Sequence, residues 1–185
     1  IEERVKSLFL GLINPRDKEF IEGKKSLQDR SVYIKIPYVL DFNTEVQIYR
    51  NVFGTGIAER FLPRVLENFA RVIIASRLSR KSEGLGEWIG DAGKYAKFCD
   101  PELLLLKMDL YTGAIPDWIS EEDLRKFKAK LRRRIIGESE HEGFSGFTGR
   151  ESLDLFGDFY SGCAKKGRLI NMQLVYDFFV RPSFA

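Results

Sequence analysis

Leu27-Gln28-Asp29-Arg30-Ser31-Val32-Tyr33-Ile34-Lys35-Ile36-Pro37-Tyr38 is the stretch on which the fold reading turns. Val32, Ile34 and Ile36 alternate with Tyr33 and Lys35, the period-two pattern of a strand with unlike faces. Pro37 cannot donate to a ladder and marks its end. Upstream, Val5-Lys6-Ser7-Leu8-Phe9-Leu10-Gly11-Leu12-Ile13 is almost continuously apolar. Such a run reads as a strand buried on both faces of a parallel sheet, stopped by Asn14-Pro15. A lone strand pair is too little for a stable sheet. Residues 5–13 and 32–38 are therefore predicted as the last strands of a larger α/β sheet whose earlier strands lie upstream.

From residue 43 the period changes to that of helices. Asn43 or Thr44 is placed to cap a helix carrying Val46, Tyr49, Val52 and Phe53 on one face, stopped by Gly54 and Gly56. A longer helix follows, with Phe61, Leu62, Val65, Leu66, Phe69, Val72 and Ile73 at three- and four-residue steps and Pro63 in its first turn. Residues 79–97, rich in glycine and charge, read as an irregular excursion. Asp100-Pro101 is a cap-plus-proline start for a helix running to Tyr111. Ser120-Glu-Glu-Asp123 is a capping box for a helix with Leu124, Phe127 and Leu131 as its apolar stripe. A glycine-rich loop over 137–149 precedes helices near 150–163 and 171–180. The expected division is residues 1–42 as core strands and 43–185 as a helical region.

Composition sets outer bounds. Apolar residues make up 44% of the 185, with 15 Phe, a folded rather than disordered profile. Thirty basic against 27 acidic residues give a net charge of only +3. Bases and acids are mixed along most of the chain, which argues against a dedicated nucleic-acid module; the exception is the run Lys126, Lys128, Lys130, Arg132, Arg133 and Arg134. A solvated helix face is the ordinary meaning of such a run, and contact with nucleic acid or an acidic partner is the functional one. Cys99 and Cys163 form no CxxC pair and read as reduced thiols. No apolar run approaches the roughly 18 residues of a membrane helix, so the expectation is a cytoplasmic protein without membrane contact. The start at Ile1, without an initiator, is expected of a piece of a longer chain.

Three polar residues stand at structural boundaries. Asn14 closes the first strand, where ligands bind in open α/β sheets, and is placed to hydrogen-bond a water or a terminal phosphate. Asn-Pro is equally an ordinary turn signal. Arg30 stands at the entrance of the second strand, where a guanidinium can reach a neighbour's phosphate; the alternative is a surface pair with Asp29. Arg150 follows Gly146-Phe147-Thr148-Gly149, and its bidentate fork suits phosphate oxygens. The alternative is a local pair with Glu151 or Asp154. Gly23-Lys24-Lys25-Ser26 is not a phosphate loop, because the earlier glycine and the strand-to-helix context are missing. His141 is the single histidine, which excludes a His-rich metal site.

Leu10-Gly-Leu-Ile-Asn14, the Leu27–Tyr38 stretch, Glu45-Val-Gln-Ile-Tyr49 and Glu142-Gly-Phe-Ser-Gly-Phe-Thr-Gly-Arg150 resemble the PrkA-type serine protein kinases, bacterial proteins built on an AAA+ ATPase core. The resemblance runs from about residue 5 to 180 and is weak over 79–135. It implies an α/β P-loop NTPase fragment: the last strands of the parallel sheet, then a mostly α-helical lid. It implies Asn14 as the sensor-1 residue, Arg30 as an arginine finger acting across a subunit interface, and Arg150 as the sensor-2 arginine, catalytic and nucleotide-binding. The Pro-Arg-Asp after Asn14 departs from the family pattern. The Walker segments are absent, so ATP and Mg2+ would be held mainly by upstream segments. The implied activity is phosphoryl transfer to serine of a protein substrate by a homo-oligomer. The alternatives are a non-kinase AAA+ remodelling ATPase and a helical protein-interaction module.

Overall fold

A computed structural model describes residues 10–12, 32–164 and 169–180. The chain divides into two compact units, Ile1–Ile36 and Pro37–Ala185. In the first, the described residues carry no regular secondary structure, and Leu10, Leu12, Val32, Ile34 and Ile36 are exposed. The expected sheet is therefore corrected: no strand occurs among the described residues, and the fold of the second unit is helical. The run Val32–Tyr38 has the side-chain alternation of a strand without a ladder. Alternation is a local signal, whereas a strand needs a neighbour for its backbone groups, and none of the described residues supplies one. Tyr38 instead donates its amide to the Gly143 carbonyl at 2.7 Å. One isolated parallel bridge joins Phe61 to Ile170. The strand expected at 5–13 lies outside the described residues except for 10–12.

The second unit opens with α1, Phe42–Phe53, and here Asp41 is the cap, accepting the amide of Asn43 at 2.7 Å. A 3-10 turn, Thr55–Arg60, leads to α2, Val65–Arg77. Pro63 lies before α2 rather than in its first turn. Then come α3, Glu83–Trp88; a 3-10 turn, Ala92–Tyr95; and α4, Leu104–Tyr111. The start expected at Asp100-Pro101 is displaced: Leu103 is the N-cap residue of α4 and Pro101 lies in the turn before it, while the Asp100 carboxylate reaches in to accept the amides of Leu104 at 3.0 Å and Leu105 at 2.9 Å. The helix expected across the basic run is two, α5, Glu121–Lys126, and α6, Ala129–Gly137. The break at Phe127-Lys128 lets Phe127 stack on Trp88 at 4.1 Å while Leu124 stays exposed. A 3-10 turn, Glu138–His141, and a glycine-rich loop lead to α7, Gly149–Ala164, and α8, Met172–Val180.

These elements bury two apolar clusters. The first joins α1, α2, α7 and α8 through residues such as Val46, Tyr49, Phe69, Ile73, Phe156 and Phe159, with Tyr49 stacked on Phe156 at 4.3 Å. Each large side chain so buried contributes about 1.5–3 kcal/mol. The second joins α3, α4 and α6 through Leu85, Trp88, Leu106, Leu110 and Ile135, with Tyr95 of the intervening turn. The segment 79–97 is thus a core-former and not an irregular excursion: Leu85, Trp88, Ile89 and Tyr95 are all buried. Among the described residues no helix is long and apolar enough to cross a membrane.

Candidate functional site

The loop from Glu142 to Thr148 carries the chain from the second cluster to the start of α7, and buried charges grip it at both ends. Lys107, on α4, is fully buried, a position a lysine occupies only when paired. Its ammonium meets the Glu142 carboxylate and donates to the Ser79 carbonyl at 3.1 Å. The other Glu142 oxygen accepts from the Tyr111 hydroxyl at 3.0 Å. Burial, reinforced by the Glu142 charge, pushes the Tyr111 phenol far above its usual range.

At the other end, Arg77, the last residue of α2, is buried to 2% exposure. Its guanidinium pairs with Glu45 of α1 at 2.9 Å and donates to the Val39 carbonyl at 2.9 Å. Its Nε donates to the Phe147 carbonyl at 2.8 Å. Glu45 also accepts from the Ser152 hydroxyl of α7, and that hydroxyl lies 2.8 Å from the Tyr49 hydroxyl. Burial is the main reason the Tyr49 phenol titrates well above its ordinary value.

Between these grips the loop lies against the end of α2. The Gly143 amide donates to the Arg77 carbonyl at 3.1 Å, and the Phe147 amide to the Ser76 hydroxyl at 3.1 Å. Gly146 has φ +82, and an added Cβ would collide with the Ser76 carbonyl. Glycine is needed here for both reasons. The loop's glycines therefore answer first to contact with α2.

Arg150 sits in the first turn of α7, two residues past its cap. Thr148 and Glu151 form a reciprocal capping box: the Glu151 amide donates to the Thr148 hydroxyl at 3.1 Å, and the Thr148 amide to the Glu151 carboxylate at 2.8 Å. The box fixes the helix start. Arg150 itself is exposed and has no ion pair among the described residues. The local pairs with Glu151 or Asp154 open to it in sequence are not made. A cation in a first helical turn faces the positive end of the helix dipole, so among the described residues nothing compensates this guanidinium and it is available to an anion. Asn14 and Arg30 lie outside the described residues. His141 is exposed in its turn. No group of three His, Cys, Asp or Glu that could hold a metal occurs among the described residues.

The residues that sequence reasoning missed are the grips. Their signal was present: Glu45 falls beside Val46 and Tyr49 on the apolar face of α1, Arg77 ends the apolar stripe of α2, and Lys107 interrupts Leu103–Leu110. A charge on an apolar stripe needs a partner, but periodicity does not name a partner dozens of residues away.

Residues 105–181, from α4 to the end of α8, match the family model of the PrkA serine protein kinase C-terminal domain. No curated protein and no solved structure matches the chain.

Proposed function

We propose that this PrkA-type chain takes part in ATP-dependent phosphorylation of serine on a protein substrate, and that its own contribution is the guanidinium of Arg150. The match over residues 105–181 supports a PrkA-type protein. The observation that carries the role of Arg150 is its presentation: an exposed cation with no ion pair among the described residues, two residues past a reciprocal cap, in the helix turn that follows a loop gripped by buried ion pairs. A guanidinium held this way meets phosphate oxygens bidentately and gains little competing local stabilisation. Bound ATP, with Mg2+, would supply the transferable phosphoryl group. Of the described residues Arg150 fits its phosphates, and metal-holding residues would come from elsewhere in the protein. The reading leaves Asn14 as a second polar contact to the nucleotide and Arg30 as a finger directed at a neighbouring subunit.

Positioning is the main work a protein does in phosphoryl transfer, with charge stabilisation beside it. The Arg77 and Lys107 grips serve it by keeping the start of α7 in one place. The test is turnover of full-length protein, measured both as ATP hydrolysis and as phosphate appearing on serine. Arg150→Ala is expected to slow both about tenfold or more, about 1.4 kcal/mol of barrier, with Arg150→Lys between the two. Arg30→Ala, mixed with unaltered subunits, separates a contribution in trans from one in cis. Unchanged turnover in a folded Arg150→Ala protein would remove the role. ATP turnover without phosphoserine would leave an ATPase and remove the kinase.

A further inference from the structure

The basic run and its neighbour Arg125 divide by their ion pairs among the described residues. Arg125 pairs with Glu121, Lys126 with Glu122, and Arg134 with Glu83 and Glu87. Lys128, Lys130, Arg132 and Arg133 are exposed and have no ion pair among the described residues. With Ile135 buried, the helical period sends Arg132, Arg133 and Ile136 outward together. Ile136 is 38% exposed, an apolar side chain flanked by cations. Four like charges this close repel one another and are left unneutralised within the described structure.

A second surface has the opposite pattern. Phe147 and Leu155 floor an open groove along α7, rimmed by Glu151, Asp154 and Asp158. Asp154 and Asp158 are exposed, and neither has an ion pair among the described residues. Arg150 lies one turn before Asp154 and does not neutralise it. An apolar centre between cations on α6 thus matches an apolar floor between carboxylates on α7. We propose that the Lys128–Ile136 face of one copy docks on the Phe147–Asp158 groove of a second copy. Unlike surfaces meet in such a contact, so it is head-to-tail and propagates to a ring or an open chain. Charge complementarity of this kind governs partner choice and on-rate, and weakens with salt.

The test is sedimentation velocity of the full-length protein at low and high salt, with two double variants. R132E/R133E reverses the basic face, and D154K/D158K reverses the groove. Each alone is expected to weaken self-association at least about tenfold, through like charges brought face to face. Mixed in equal amounts, they are expected to associate again, since each reversed face now meets an opposite one. Two misfolded variants would not rescue each other. Unaltered protein that is monomeric at the highest attainable concentration would overturn the proposal, as would variants that associate normally or a mixture that stays apart. Loss of duplex-DNA binding by R132E/R133E with self-association unmoved would assign the face to nucleic acid and likewise overturn it.

Discussion

Gly146 and Arg77 hold the same loop by opposite means, one by having no side chain and the other by filling its site with one. Gly146 combines a positive φ with backbone contact to Ser76. Gly146→Ala is expected to destabilise by more than about 1 kcal/mol, because strain and collision add. Arg77 neutralises Glu45 and satisfies the carbonyls of Val39 and Phe147. Arg77→Met leaves that carboxylate buried and unpaired, at a cost of about 3–5 kcal/mol. Urea unfolding measures both, and a loss under half a kilocalorie in either would show that the loop relaxes freely. At this scale the sequence announced the turn but not the grip. Gly143 and Gly146 mark an unusual backbone on sight, whereas Arg77 reads like any basic residue near a helix end.

Elements were legible wherever caps and periodicity spoke together. The helices starting near 43 and 150, the Ser120 cap and the closing helix all follow from side chains acting on their own neighbours. The strand at 32–38 failed for the converse reason, since its pattern is local and its stability depends on a neighbour. The segment 79–97 was misread because glycine and charge outnumber the buried Leu85, Trp88, Ile89 and Tyr95 that decide its place. The caps themselves are testable. Thr148→Ala removes half of a reciprocal box and is expected to cost about 1 kcal/mol, with faster amide exchange confined to the first turn of α7. The cap of α5 adds a pH dependence. Burial raises the pKa of Asp123, but bonds from Lys94 and Tyr95 outweigh it and bring the value down from 3.8 to about 2. The folded state therefore binds fewer protons than the unfolded state between these values. The stabilisation is whole above about pH 4 and drains away as pH falls toward about 2. Asp123→Asn should flatten that part of the acid limb in a melting-temperature profile. An unchanged limb would place the acid sensitivity in other carboxylates.

For the molecule as a whole, the question is why two apolar clusters behave as one unit. α4 belongs to both: Leu106 and Leu110 enter the second cluster and Met108 the first. Lys107 lies between them, and its partner Glu142 begins the loop that leads to α7. The buried pair is thus a joint between the clusters, and its energy has a definite asymmetry. Removing one partner strands the other in the interior, whereas replacing both with uncharged groups removes the desolvation cost along with the attraction. Glu142→Gln and Lys107→Met are each expected to destabilise by about 3–5 kcal/mol, and the double variant by much less than their sum. If the pair also couples the clusters, the single variants should unfold in two steps, with the Trp88 region melting apart from the α1–α2–α7 cluster. Near-ultraviolet dichroism would follow the tryptophan site, and far-ultraviolet dichroism the helices. Coincident transitions in every variant, with additive losses, would mean that apolar contact through α4 alone unites the two clusters and that the ion pair only fills its own pocket.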